Sequence, residues 1–129
     1  CRTDVVKEIG EQQIIVDLKS CTDASTEAFV RDAIKFGYDV QAAMYSEGVK
    51  ANTGKDSIFV FVAVEKEPPY AVNVIQADKL FMQSGWSKLR DLMAIYHDCN
   101  VTGNWYGYTG KSNIINNTIM PSWAIREIE

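Results

Sequence analysis

The sequence predicts an α/β protein in which a mixed β-sheet is flanked by helices. Three observations support this fold class: a hairpin signature near the amino terminus, a continuous β-branched and aromatic run at residues 58–64, and helical spacing of apolar residues in the segments around these strands. A chain of 129 residues with ordinary apolar and charged fractions has the size of one domain. We therefore expect a single core domain over residues 1–129.

The first two predicted strands form a hairpin. Gly10-Glu11 places glycine at the first central position of a two-residue loop, which is the type II′ signature. This loop pairs Ile9 with Gln12. Counting outward from that pair places Asp4 opposite Asp17, and like charges at opposed positions are destabilising. A divalent cation such as Mg²⁺, which takes one or two carboxylates, would explain the pair.

The second predicted strand ends with an acid and a lysine. Strand side chains alternate between the two faces, so Ile15, Asp17 and Lys19 point to the same side. An Asp-x-Lys triplet also occurs by chance, and a solvated strand end is the ordinary alternative. The opposed Asp4 makes a functional interpretation as well supported as this alternative, and both stay open.

A helix is expected next, either continuous or divided at Gly37 into two helices near residues 25–36 and 38–50. Apolar residues at steps of three and four predict a stripe that packs on the sheet, formed by Phe29, Ala33, Phe36, Val40 and Met44. A second stripe comprises Tyr38, Gln41 and Tyr45, whose side chains end in hydrogen-bonding groups. Such a stripe most often lies at the amphipathic edge of the core.

The second half of the chain predicts two further strands and a long helix. Residues 58–64 read as a central strand covered on both faces, and residues 70–75 as its neighbour. The helix begins near Asp78, and its expected buried side comprises Leu80, Phe81, Trp86, Leu89, Leu92, Met93 and Tyr96. An aromatic tail then either covers the edge of the core or stacks on bases of single-stranded DNA, through Trp105, Tyr106, Tyr108 and Trp123.

Composition limits the function and the compartment. The formal net charge of −4 argues against a broadly basic surface, so any nucleic-acid contact is local, screened by metal, or built by several subunits. Three cysteines without C-x-x-C spacing fit a reducing compartment and exclude an iron–sulfur cluster with four cysteine ligands. Without a signal peptide or an apolar run of membrane length, we expect a cytoplasmic protein with no membrane contact.

Three segments in order resemble the PD-(D/E)xK nuclease superfamily, and specifically its RecE-like phage and prophage exonucleases (exodeoxyribonuclease VIII). They are residues 2–4 (R-T-D), 15–20 (I-V-D-L-K-S) and 38–45 (Y-D-V-Q-A-A-M-Y). The likeness extends to residues 59–61 (F-V-F) and 121–124 (P-S-W-A). It implies a restriction-endonuclease-like core, a mixed β-sheet flanked by α-helices.

The resemblance also implies roles for the residues of the hairpin. Asp4, Asp17 and the carbonyl of Leu18 would bind a divalent cation, Mg²⁺ or Mn²⁺. Lys19 resembles the lysine that orients or helps deprotonate the attacking water. Because Lys19 lies near two acids it should stay protonated, which favours electrostatic stabilisation over action as a base.

Other matches and departures qualify the resemblance. Gln41 and Tyr45 match the Q-x-x-x-Y motif of the RecB-like branch, whose side chains support the site and the DNA backbone. Thr3 stands where the family name has proline. The family's site is completed by an acid or histidine upstream of the first strand. We therefore expect a catalytic core that lacks an upstream amino-terminal segment.

The function expected from this resemblance is metal-dependent hydrolysis of DNA. The substrate would be linear duplex DNA degraded from its ends during phage recombination or repair, with a single-stranded product. A homo-oligomer and a recombination partner protein follow from the resemblance alone. The alternative is a catalytically silent remnant that binds DNA or partner subunits.

Overall fold

The structure, a computed structural model, describes residues 2–108 and 110. Cys1 and the 121–124 segment with Trp123 lie outside the described residues. The elements in chain order are β1 (Val5–Ile9), β2 (Gln12–Cys21), α1 (Thr26–Lys35), α2 (Tyr38–Thr53), β3 (Ser57–Glu65), β4 (Val72–Gln76) and α3 (Lys79–Thr102). The chain divides into two compact units, Cys1–Met93 and Ala94–Glu129.

The four strands form a mixed sheet in the order β1-β2-β3-β4. Strands β2 and β3 are parallel, while β1 and β4 pair antiparallel with their neighbours. The central position of β3 and the α/β fold class are therefore confirmed. Parallel pairing requires a crossover connection, and α1 and α2 provide it between β2 and β3.

The predicted hairpin register is also confirmed. Ile9 pairs with Gln12, and the ladder continues as far as Val5 opposite Val16. Gly10 has a φ of 62°, the left-handed conformation that a tight two-residue hairpin loop requires and that glycine adopts at low cost. The ladder ends one residue before Asp4, so the pairing of Asp4 with Asp17 stays a prediction.

The hydrophobic core lies on one face of the sheet. Its members come from β2, β3 and the three helices, and include Ile15, Phe29, Ala33, Ala42, Phe59, Phe61, Ala63 and Met82. On the opposite face Val60 and Val62 are half-buried, and Val74 is 66% exposed. The expectation that β3 is covered on both faces is therefore wrong within the described residues, since helices pack on only one side.

The predicted apolar stripe on the two helices is correct only for α1. Phe29 and Ala33 are buried, but Phe36 and Met44 are exposed. Gly37, with a φ of 70°, separates the helices and resets the face that points inward. Helix α2 instead buries small and polar side chains, Asp39, Ala42, Ala43 and Ser46.

Helix α3 begins where the sequence predicts, because the Asp78 side chain accepts a hydrogen bond from the Phe81 amide at 2.7 Å. Its predicted buried side is largely wrong. Met82 is buried, whereas Leu80 and Leu92 are more than half exposed. No helix in the described part of the chain is long and apolar enough to cross a membrane.

The second unit contains the end of α3 and the aromatic residues that follow. Trp105 packs edge-on against Tyr96, with ring centroids 5.6 Å apart. Cys99 is buried as a free thiol, as is Cys21 in the first unit. DNA stacking by the aromatic tail remains a prediction.

Candidate active site

Asp17 and Lys19 of strand β2 lie on the face of the sheet that α2 covers. Asp17 is only 2% exposed, and the Lys19 side chain is 17% exposed. Their backbones pair with β3 on one side, which fixes both positions in the middle of the sheet. The Lys19 ammonium lies 2.5 Å from Asp17 Oδ2 and 4.5 Å from the centroid of the Tyr38 ring.

Gln41 on α2 joins these two residues through both ends of its amide. Its Nε2 donates to Asp17 Oδ1 at 2.8 Å, and its Oε1 accepts from Lys19 Nζ at 2.9 Å. An amide is suited to this position because it offers a donor and an acceptor together. The structure therefore unites three of the predicted site residues, Asp17, Lys19 and Gln41.

One oxygen of Asp17 is left without a hydrogen bond. Oδ2 is buried, and no donor among the described residues has hydrogen-bonding geometry to it, although the Lys19 ammonium is within ion-pair distance. Buried carboxylate oxygens are normally satisfied, so each exception needs an explanation. A cation that binds this oxygen would provide one.

A hydrogen bond from the backbone of strand β2, which also carries Asp17, positions the Asp4 side chain. Its Oδ2 accepts a hydrogen bond from the Leu18 amide at 2.9 Å, just past the last β1–β2 pair. The amide and carbonyl of one strand residue point to the same side of the strand. The Leu18 carbonyl therefore points to the side of β2 on which Asp4 lies, beyond the end of the β1–β2 ladder.

Carboxylate and carbonyl oxygens are of the types that Mg²⁺ prefers as ligands. The described residues contain no group of three or more His, Cys, Asp and Glu side chains arranged to hold a metal. A site here would thus consist of the Asp4 and Asp17 carboxylates, the Leu18 carbonyl and water. Mg²⁺ commonly binds in this way, through one or two carboxylates with several retained waters.

Tyr45 occupies a different environment from Gln41. It lies one turn further along α2, is half-buried, and packs against the hydrophobic core. The predicted direct role of Tyr45 at the site remains untested. Tyr38, which the sequence placed only on a stripe, is the aromatic residue in contact with Lys19.

Residues 1–118 match the family described as a PDDEXK-like domain of unknown function. The chain belongs to this family. A crystal structure from Eubacterium rectale, described as a “putative exonuclease”, has the same fold with a TM-score of 0.61 and 20% sequence identity. The match covers 94% of this chain and 48% of the other, so this chain spans about half the length of that protein. No curated protein matches the chain.

The PDDEXK-like domain contains a second buried carboxylate that the sequence did not single out. Asp39, in the first turn of α2, is fully buried and accepts hydrogen bonds from the Val40 amide, the Ser84 hydroxyl and the Lys88 ammonium. Burial raises the pKa of Asp39, but these hydrogen bonds outweigh it and hold the net pKa below its ordinary value. Asp39 thus fixes the start of α2 to α3.

Gly85 allows this close contact between the two helices. A Cβ at this position would lie 2.0 Å from the Asp39 carbonyl oxygen. The glycine therefore lets α3 approach the backbone of α2 two residues before Gln41. An acid in the first turn of a helix usually marks a favourable dipole interaction, so the sequence alone did not distinguish Asp39 from an exposed residue.

Proposed function

We propose that this PDDEXK-like domain is a metal-dependent deoxyribonuclease. The observation that carries the proposal is the buried Asp17 carboxylate, whose Oδ2 forms an ion pair with the Lys19 ammonium but accepts no hydrogen bond, on a strand beside the one that Asp4 precedes. A buried carboxylate held next to a cationic side chain suits a site that holds a metal and an anionic substrate together.

The chemistry of phosphodiester hydrolysis fits these groups. The reaction needs a nucleophilic water and neutralisation of a transition state with additional negative charge. Mg²⁺ or Mn²⁺, held by Asp4, Asp17 and the Leu18 carbonyl, supplies a Lewis acid that meets both needs. Within the chain, the buried carboxylate of Asp17 provides the negative charge that attracts the cation.

Lys19 stabilises charge on the phosphate in this proposal. Its ammonium is fixed by Gln41, by Asp17 and by the face of the Tyr38 ring, so it is oriented before substrate binds. A preorganised charge in a partly buried site is worth more than a mobile charge in water. Gln41 is a positioning residue, because it holds Asp17 and Lys19 at a fixed separation.

The substrate in this proposal is linear duplex DNA attacked from its ends, as part of phage recombination or repair. The shared fold with the Eubacterium rectale protein described as a “putative exonuclease” supports an exonuclease. A homo-oligomer and a recombination partner belong to the same proposal. They would provide additional DNA contacts, which a chain with a net charge of −4 needs.

Incubation with end-labelled linear duplex DNA and Mg²⁺ or Mn²⁺ tests the proposal, with closed circular DNA alongside. We expect cleavage of the linear substrate alone. Lys19→Ala should abolish it, whereas Lys55→Ala should not, because Lys55 forms an exposed ion pair with Glu8 away from the site. If the DNA stays intact while calorimetry shows that Mn²⁺ binds, the metal site is present but incomplete. Intact DNA without Mn²⁺ binding would contradict the nuclease and favour the silent remnant.

A further inference from the structure

A cavity of about 180 Å³ adjoins the candidate active site at the carboxyl end of β2. We call it the Lys19 cavity, and its walls include Lys19, Asp32, Phe36, Tyr38 and Lys66. We infer that it receives the base of the nucleotide next to the scissile phosphate. This inference rests on the proposed function and adds a substrate-binding site to it.

Lys19 connects the cavity to the proposed chemistry. The Lys19 ammonium lies 2.5 Å from Asp17 and also lies over the Tyr38 ring. Both Lys19 and Tyr38 line the cavity. A phosphate placed at Lys19 would therefore have its attached nucleoside at the mouth of the cavity. The next side chain along this wall is Phe36, whose ring centroid is 5.9 Å from that of Tyr38.

Phe36 has the exposure expected of a stacking surface. It is 59% exposed at the carboxyl end of α1, although it is a large apolar side chain and the sequence pattern predicted it to be buried. The neighbouring ring planes of Phe36 and Tyr38 are inclined by 31°. Exposed aromatic rings beside cationic side chains are typical of proteins that bind single-stranded nucleic acid, because every base has a face that can stack.

The charges in the wall favour a base over a second phosphate. The Asp32 carboxylate would repel a phosphate, but it can accept a hydrogen bond from an amino or imino group of a base. Lys19 and Lys66 are available for the phosphates on either side. Aromatic rings, one acceptor and flanking cations match the mixed apolar and polar chemistry of a nucleoside.

The volume indicates an unpaired base. Pockets for drug-sized ligands are about 300–1,000 Å³, so a cavity of about 180 Å³ suits one base and not a base pair. The nucleotide bound here must therefore have left the duplex. Unpairing costs least where a base is mismatched or already single-stranded. Frayed or single-stranded ends should then be bound more tightly than blunt ends.

A short single-stranded oligonucleotide with phosphorothioate linkages and one 2-aminopurine tests the inference. The fluorescent base is placed at the 5′ end, the centre or the 3′ end, and binding is followed by anisotropy. We expect quenching of at least one probe by the wild-type protein. Phe36→Leu should remove the quenching and weaken binding by roughly 5- to 150-fold, the range for one lost base–aromatic stack. Phe36→Trp should keep both.

A strand with an abasic site at the quenched position provides the matched control. It should bind wild-type protein and Phe36→Leu equally, because neither complex then contains the stack. Equal quenching by Phe36→Leu, or tight binding without quenching at any position, would overturn the inference. Absence of binding would also overturn it.

Cleavage of end-labelled linear duplex DNA by wild-type protein separates the two proposals. If wild-type protein cleaves the DNA but Phe36→Leu binds the oligonucleotide as tightly as wild type does, the nuclease proposal holds and the inferred base site is wrong. If Phe36 is required for quenching but wild-type protein cleaves no DNA, the result supports the base site and contradicts the nuclease proposal. Circular dichroism of both variants, whose substituted side chain is exposed, checks that they fold.

Discussion

Asp17 and Asp39 are two buried aspartates, each with a lysine ammonium at 2.5 Å, yet their surroundings differ. Both oxygens of Asp39 are hydrogen-bonded, one to the Val40 amide and the other to Ser84 and Lys88. Asp17 has one oxygen bonded to Gln41 and the other without a hydrogen bond. Complete hydrogen bonding is typical of a structural carboxylate, whereas Asp17 Oδ2 has only the ion pair with Lys19, which is consistent with the proposed metal site.

Replacement of Asp17 should have the largest effect on activity. Asp17→Asn removes the charge that holds the cation, and we expect the cleavage rate to fall by about 10²- to 10³-fold, in line with several kcal/mol of lost transition-state stabilisation. The free energy of unfolding should also fall, because the Lys19 ammonium, whose side chain is only 17% exposed, loses its charged partner. Initial rates and urea unfolding of the same preparation measure both quantities.

Loss of stability in Asp17→Asn without any loss of cleavage would contradict this assignment and place Asp17 with Asp39 as a structural residue. Asp56→Asn is a suitable control, since Asp56 is an exposed partner of Lys50 outside the site. It should leave cleavage unchanged.

Gly85→Ala should cause the largest loss of stability among these variants. The new Cβ would meet the Asp39 carbonyl at 2.0 Å, and a backbone atom cannot move aside as the end of a side chain can. Overpacking of this kind costs about 1–3 kcal/mol, and we expect the upper end. Urea denaturation measures it, with Gly48→Ala in α2 as a control for the change in helix propensity. Equal behaviour of the two variants would show that the helices can separate without cost.

Asp39→Asn should reduce stability by roughly 2 kcal/mol. The neutral side chain weakens the charge-assisted hydrogen bonds from Ser84 and Lys88, and bonds of this type contribute about 1.5–3 kcal/mol. Lys88 is 46% exposed and can be solvated, which limits the loss. The variant should keep most of its cleavage activity, in contrast to Asp17→Asn. Loss of activity without loss of stability would reverse the comparison.

The smallest expected effect is on the pH dependence of stability. Because the pKa of Asp39 is lowered in the folded protein, its contribution is fully present above the unfolded value of about 3.9 and is lost as pH falls through the folded value. The difference in unfolding free energy between wild type and Asp39→Asn should therefore be largest near neutral pH and shrink below about pH 4. Denaturation at a series of pH values tests this, and a constant difference would contradict it.

Local signals predicted the parts of the fold that depend on local chemistry. Gly10 indicated the hairpin loop, and the loop gave the correct register as far as Val5 opposite Val16. Gly37 marked the break between the helices, and Asp78 marked the start of α3. Each of these features is determined by residues close together in the chain.

Contacts between distant segments were not predictable in the same way. Phe36 and Met44 fit a helical stripe but are exposed, because α2 turns a different face inward after Gly37. Asp39 is buried only because Ser84, Gly85 and Lys88 meet it from a helix more than forty residues away. Periodicity describes one helix at a time and contains no information about which helix will pack against it.

The hairpin loop at Gly10 has a consequence for how this sequence can vary. Surface loops usually accept insertions and deletions, since their backbone is solvated. Here an added residue would slide β1 past β2 by one position and turn Asp4 to the opposite face of the sheet. The loop can therefore vary at Glu11, but neither its length nor Gly10, with its positive φ, can change without cost, although the loop lies at the far end of the hairpin.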